Sequence, residues 1–492
     1  MMKKLLLSVC FLWYLTAHAQ SAQMLTVNQM HKDLAILKAA YKQLHPGVYR
    51  YTTPVQLDQY FEEIMHITAQ PLPLTQFYIS LSQLSVKLHC GHTYVNPYNQ
   101  KKTIVKQVFA DRVMPILFQT INDEFIITHN LSENISLKKG DEIVSINGIG
   151  TKKIIDSLLT VSRADGMHGR NKQLDNISIS PYFADAKQYA LFDIYFHLFF
   201  SNPGQDNAYQ LIIKPFRGEK KLVKIPAVSK LTRQAIFKQR YLAEYAQPTA
   251  TFNWFTERCG YLKIEQFSQQ GWKSAYKQYL DSTFNVLRTH QASTLIVDIR
   301  NNEGGDDEVR NEVLSYLLER PFGYPIKRYY RFLSVRDSLL PYLDTWDESF
   351  KKPKTATDYI KNNDGLFYKK NIHPADTIQP KANHFEGQIY LLTAAINSSS
   401  SFFMADILQQ TKAAVLIGET TGGTKQGING GQFFFLKLPN TGIEIDIPIV
   451  YQAPLMSRTD EGIVPDIKIK TKQKDIATGN DPVLNYIRKR LK

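Results

Sequence analysis

Four short apolar runs in the second half of the chain, "CGYLKIEQF", "TLIVDIR", "GQIYLLTA" and "AAVLIGE", limit its architecture more than any other feature. Each has the length of a strand, and stretches of helical spacing separate some of them. A largely apolar strand needs cover on both faces, and helices lying between successive strands supply it. The pattern predicts an α/β core of mostly parallel strands over residues 250–475. Residues 320–385 interrupt it with a polar, tyrosine-rich stretch that reads as an insertion or cap, and residues 476–492 form a C-terminal tail.

Upstream the texture changes. Leu34, Ile36, Leu37, Ala40, Tyr41 and Leu44 follow a 3.6-residue period until His45-Pro46-Gly47 stops it. Further amphipathic runs at 57–67 and 74–88 make residues 20–105 a helical N-terminal domain. Residues 106–230 turn to short alternating strands, "VMPILFQT" and "EFIITHN". They are followed by "KKGDEIVSINGIGTKKIIDSLL", where Lys139-Gly140-Asp141 predicts a turn and 142–146 a strand. Asn147-Gly148 then predicts a tight turn and 152–159 a helix. This succession resembles a PDZ-type module, a family that captures peptides by adding them to a sheet edge.

The opening residues, "MMKKLLLSVCFLWYLTAHAQ", have a basic start, an apolar centre and the small-x-small site Ala17-His18-Ala19. They predict a bacterial-style signal peptide over 1–19 and a mature chain from Gln20. Val9 is too bulky for lipid attachment at Cys10. No later stretch is long and apolar enough to span a bilayer. The expectation is an exported protein, periplasmic or secreted, without an integral membrane segment after signal removal. Loss of Lys3 and Lys4 lowers the formal charge from +14 to +12. The basic residues are scattered as solvated surface, so no nucleic-acid partner is expected. Cys90 and Cys259 alone remain, too few for a disulfide scaffold, with one bridge left open.

Three core segments have the chemistry of a site. "VDIRNNEGGDDEV" ends a buried strand in two glycines, Gly304 and Gly305, which would let backbone N–H groups face a ligand oxygen. An ordinary strand-to-helix turn explains the same residues. "NSSSSFFMADIL" sets four serines before a helical run. A hydroxyl there meets free N–H groups and the positive end of the helix dipole, although a plain serine cap is the commoner arrangement. "LIGETTGGTKQGINGG" approaches a phosphate-binding loop. It fails because Thr424-Lys425 reverses the required order and a strand follows in place of a helix. Asp306-Asp307-Glu308 lacks the spacing of a metal site and suits a helix start.

Taken in order, "DIRNNEGG", "NSSSSFFMADIL", "AAVLIGETTGG" and "EGIVPDI" resemble the serine peptidase family of C-terminal-processing (tail-specific) peptidases and the tricorn protease. The resemblance is closer to the tricorn-like branch. It extends over the mature chain and implies an α/β peptidase core of crotonase/ClpP-like β-β-α units beside the helical domain and PDZ-like module. It places the nucleophile at Ser399, with oxyanion donors at Ser400 and at Gly304 or Gly305. Two bases are open. In one branch a lysine follows the glycine loop, but Thr424 holds that position and Lys425 stands one residue on. In the other a histidine serves, and "CGHT" supplies His92, with Glu461 of "DEGIVPD" in support. The preceding residue is Gly91 where that branch has serine. A histidine is neutral near pH 7 without desolvation, which favours His92. Cys90, two residues away, is read as a buried inert thiol.

The function expected is an exported serine endopeptidase hydrolysing peptides or unfolded proteins through an acyl-enzyme on Ser399, without metal or cofactor. The alternative is a non-catalytic binder of peptides or lipophilic ligands with the same fold. An esterase is a third reading, although no Gly-x-Ser-x-Gly elbow is present.

Overall fold

A computed structural model describes residues 23–491 except 201–206, 246–247, 274 and 371–376; the expected signal peptide lies outside them. The four apolar runs form neighbouring parallel strands, Cys259–Ile264, Thr294–Asp298, Gln388–Thr393 and Val415–Gly418. Ile467–Lys468 extends the sheet on one side, and Ala250–Thr256 pairs antiparallel on the other edge. Thr294–Asp298 is buried along its whole length. Leu262, Leu295, Val297, Leu391, Phe402 and Leu416 meet in the core between this sheet and its helices. Because these strands run the same way, the loops after Asp298, Thr393 and Gly418 all leave one edge of the sheet. That carboxyl edge is where open α/β sheets bind ligands.

The N-terminal helices are Val27–Leu44, Pro54–Ile67 and Leu74–Val86. Thr26 with Gln29, and Thr53 with Gln56, form reciprocal caps at the first two. Next comes an antiparallel sheet of Ile116–Ile121, Glu124–Asn130, Glu142–Ile146, Ala208–Lys214 and Lys221–Pro226. Asn147 and Gly148 turn with positive φ, 51° and 80°, and the helix Thr151–Leu159 follows. The helix Lys102–Val108 runs across the boundary expected near residue 105, and one core extends over both sides of it. Leu37, Leu81, Phe118 and Ile143 pack in one cluster with Phe434 and Ile445, which belong to the strands Phe433–Lys437 and Glu444–Pro448. The whole is a mixed α/β multidomain fold.

The stretch 320–385 is bolted to the C-terminal strands. Ile326–Tyr330 pairs antiparallel with Tyr451–Pro454, and Leu343–Asp344 with Phe433–Lys437. A second connection bears on the site. After Thr151–Leu159 the chain runs through a loop, 161–169, that docks on the segment leading into "CGHT", where the Gly166 N–H donates to the His89 carbonyl at 3.0 Å.

Candidate active site

The backbone sorts the four serines. Ser398 is the cap residue of the helix Ser399–Gln410, and its Oγ donates outward to Asp165 Oδ2 at 3.0 Å. Ser400 Oγ donates to the Gly305 carbonyl at 2.7 Å and also meets Asp307. Ser401 Oγ donates to the Ser398 carbonyl at 2.8 Å. All three are buried. Ser399 is part-exposed, and its hydroxyl makes no hydrogen bond within the described residues. It also has φ of 52°, a left-handed conformation that L-residues avoid by roughly 1–2 kcal/mol. A strained turn between strand and helix lifts a side chain clear of its surroundings, as in nucleophile elbows.

The loop after Thr294–Asp298 lies against this turn. Asn397 Nδ2 donates to the carbonyls of Ile299 and Asn302, at 2.6 and 2.9 Å, and its own carbonyl accepts from the Gly422 N–H at 2.7 Å. One buried asparagine, through its side-chain amide and its backbone carbonyl, thus locks all three loops together. The two glycines differ. The Gly304 N–H donates to Asn302 Oδ1 at 2.8 Å, whereas the Gly305 N–H has no partner within the described residues. The Ser400 N–H is likewise free. A Cβ at Gly304 would stand 2.9 Å from Ser399 Cβ and 3.1 Å from Ser400 N, closing the space before that amide. At Gly305, with φ of 126°, a Cβ would overlap the Phe267 carbonyl oxygen at 1.9 Å. Both positions require glycine.

His92 lies beside Gly430, whose Cβ position is 3.5 Å from the ring, and Phe433, 6.0 Å between ring centres. Its Nδ1 is buried without a hydrogen-bond partner. Burial holds its pKa below the usual 6.5; the Asp165 carboxylate opposes that shift, and Arg163 and Lys172 reinforce it. A histidine so placed is neutral, and able to accept a proton, at neutral pH. Burial pushes the Cys90 thiol up to about 11, so it is inert as expected. Cys90 and Cys259 are free thiols.

Lys425 Nζ pairs with Glu461 Oε1 at 3.2 Å, and Thr459 Oγ1 donates to the same oxygen at 2.8 Å. The Thr459 hydroxyl first and the Lys425 ammonium second hold the Glu461 pKa below its usual range. Glu461 is not among the strongest charge influences on His92. Thr424, at the position where the related branch has lysine, donates to Asp460 Oδ1 at 2.7 Å. Asp460 also accepts from Tyr51 Oη and the Met167 N–H, tying the glycine loop to 161–169.

Two residues of this cluster went unread in the sequence. Asp165 joins Ser398 to Gly91, whose N–H it accepts at 2.8 Å. Lys172, also buried, donates to the Ile396 carbonyl at 3.0 Å and lies 3.7 Å from Glu303. "SRADGMHGRNK" has no motif that announces either. Among the described residues no cluster of His, Cys, Asp and Glu could hold a metal ion, and no helix is long and apolar enough to cross a membrane.

No curated protein matches the chain. Mature CPAF complexed with lactacystin superposes with a TM-score of 0.67 at 16% identity, covering 94% of this chain and 98% of that one. Mature CPAF alone gives 0.63 at 15%, covering 94% and 97%. The photosystem II D1 C-terminal processing protease aligns over 93% and 99% of the two chains at 12% identity, with a TM-score of 0.42. Residues 258–469, which hold the glycine turn, the serine run and the glycine loop, match the model of peptidase family S41. That segment is of peptidase family S41, and it gives the protein the core of a serine peptidase.

Proposed function

We propose that the protein is an exported endopeptidase that cleaves extended peptides and unfolded proteins through an acyl-enzyme on Ser399. The observation that carries the reading is the sorting of the serine run: three hydroxyls are bonded and buried, and the fourth is free on a strained turn. Ser399 Oγ attacks the scissile carbonyl carbon while His92 takes its proton. The oxyanion lies between the free N–H groups of Ser400 and Gly305, with Gly304 leaving the approach open. His92 then protonates the leaving amine, and water releases the acyl group with His92 again as base. Lys425 is engaged with Glu461, which favours His92 as the base, and Glu461 supports the site only indirectly. The parallel sheet belongs to crotonase/ClpP-like β-β-α units, and residues 106–230 act as the PDZ-like module that presents extended chain to the site.

The test compares the mature protein from Gln20 with its Ser399→Ala variant on a panel of unfolded proteins and peptides at neutral pH. Fragments are read by mass spectrometry. Cleavage by the parent alone is expected, and equal cleavage by both would remove Ser399 from the mechanism. If neither cuts, the non-catalytic binder replaces this reading.

A further inference from the structure

The residue before His92 has no side chain, yet its place is filled. A Cβ built on Gly91 would stand 2.7 Å from Asp165 Oδ2, 3.1 Å from its Cγ and 3.2 Å from Oδ1. The carboxylate comes from the 161–169 loop, 74 residues away in sequence, and is 4% exposed. Both oxygens act as acceptors. Oδ1 takes the N–H of Gly91, immediately before His92, and Oδ2 takes the hydroxyl of Ser398, immediately before Ser399. One small rigid group therefore fixes the spacing between the segments that carry base and nucleophile.

We propose that Asp165 is a positioning residue for His92, replacing from a distant loop the side chain that residue 91 lacks and stabilising the imidazolium formed when Ser399 loses its proton. The inference rests on the Ser399–His92 reading above. The strongest charge influences on His92 are the anions Asp165 and Glu303 and the cations Arg163 and Lys172. Asp165 acts most strongly among them and favours the protonated ring, whereas burial and both cations oppose it. A buried imidazolium beside two cations needs such an anion during acylation, when the proton has left Ser399 and not yet reached the leaving amine. Glu461, the carboxylate singled out in the sequence, is held by Lys425 and Thr459 instead.

The decisive variant is Asp165→Asn, which keeps shape and removes charge. In the full mature chain carrying Ser399→Ala, NMR titration of His92 gives its pKa without any need for activity. The expected result is a fall of about one pH unit on Asp165→Asn, because the strongest influence favouring the protonated ring is removed. In the active chain, kcat falls by about 10²-fold, KM changes little, and the acid limb of kcat/KM moves to lower pH with His92. A companion pair guards against simple misfolding. Gly91 does not have positive φ, so Gly91→Ser combined with Asp165→Ala fits a hydroxyl into the vacated space. It should recover about 10-fold over Asp165→Ala alone. An unchanged His92 titration, an unchanged kcat, or no recovery in the double variant would overturn the proposal. If the parent cuts nothing while the His92 titration still moves, the peptidase reading fails and the coupling of Asp165 to His92 stands.

Discussion

The strain at Ser399 makes a prediction that opposes stability to function. At φ of 52° a side-chain-bearing residue is disfavoured by roughly 1–2 kcal/mol, a penalty glycine escapes. Glycine loses more conformational freedom on folding, which returns roughly 0.5–1 kcal/mol. The net advantage of glycine over alanine at this position is therefore about 0.5–1 kcal/mol. Alanine is a clean reference, because the Ser399 hydroxyl makes no hydrogen bond that either substitution would remove. Both variants lose peptide cleavage, but Ser399→Gly should melt about 1 °C above Ser399→Ala in a chain this long. Ser401→Gly is the control. That residue lies inside the helix, is fully buried, and donates to the Ser398 carbonyl at 2.8 Å. Losing that bond and placing glycine in a helix should lower stability by about 1–2 kcal/mol. Scanning calorimetry of the three variants in one buffer reads the signs directly. Ser399→Gly melting at or below Ser399→Ala would show that the turn stores no strain, and the comparison with a nucleophile elbow would fall.

Two further outcomes are expected. Lys425→Met should leave kcat/KM within about 3-fold of the parent while His92→Gln lowers it at least about 10²-fold, and the opposite pattern in a peptide assay would transfer the role of base to Lys425. His45 is buried, with Nδ1 accepting from the Gly47 N–H and Nε2 bonded to Thr93, and burial lowers its pKa to about 3. The unfolded chain protonates it below 6.5, so the stability it contributes is complete above pH 6.5 and is lost as pH falls toward 3. At 1.36 kcal/mol per pH unit the loss approaches about 5 kcal/mol. Urea midpoints of the parent should fall more steeply from pH 7 to 4 than those of His45→Gln, and parallel slopes would contradict this.

Periodicity was enough for the elements whose side chains decide their shape. The run 57–67 is the end of the helix Pro54–Ile67, the strand expected at 142–146 is Glu142–Ile146, and the four apolar runs are adjacent parallel strands. The site was legible down to its loops but not to its atoms. Four consecutive serines are chemically identical as letters; the family resemblance pointed to Ser399, and φ with the hydrogen bonds of the folded chain supply the physical difference. Gly304 and Gly305 were likewise equivalent until the Asn302 side chain took one amide. Asp165 was invisible because its partners lie 74 and 233 residues away, in segments without a shared pattern. An acidic residue in a polar loop reads as surface until that loop is seen to turn inward. Shared packing was hidden for the same reason, since a helix period tells which face is buried but not against what.

That shared packing bears on when such a molecule becomes complete. As the chain emerges during synthesis, the helices of residues 27–86 come first, but their partners Phe434 and Ile445 come last. The loop that fastens the serine turn, through the Gly422 N–H on Asn397, also follows the serines it restrains. No fragment ending before the serine run holds both His92 and Ser399, and the early helices meet the last of their core partners only when Phe433–Lys437 and Glu444–Pro448 have been made. The complete core and the fastened serine turn therefore come together only when nearly all of the chain has been made.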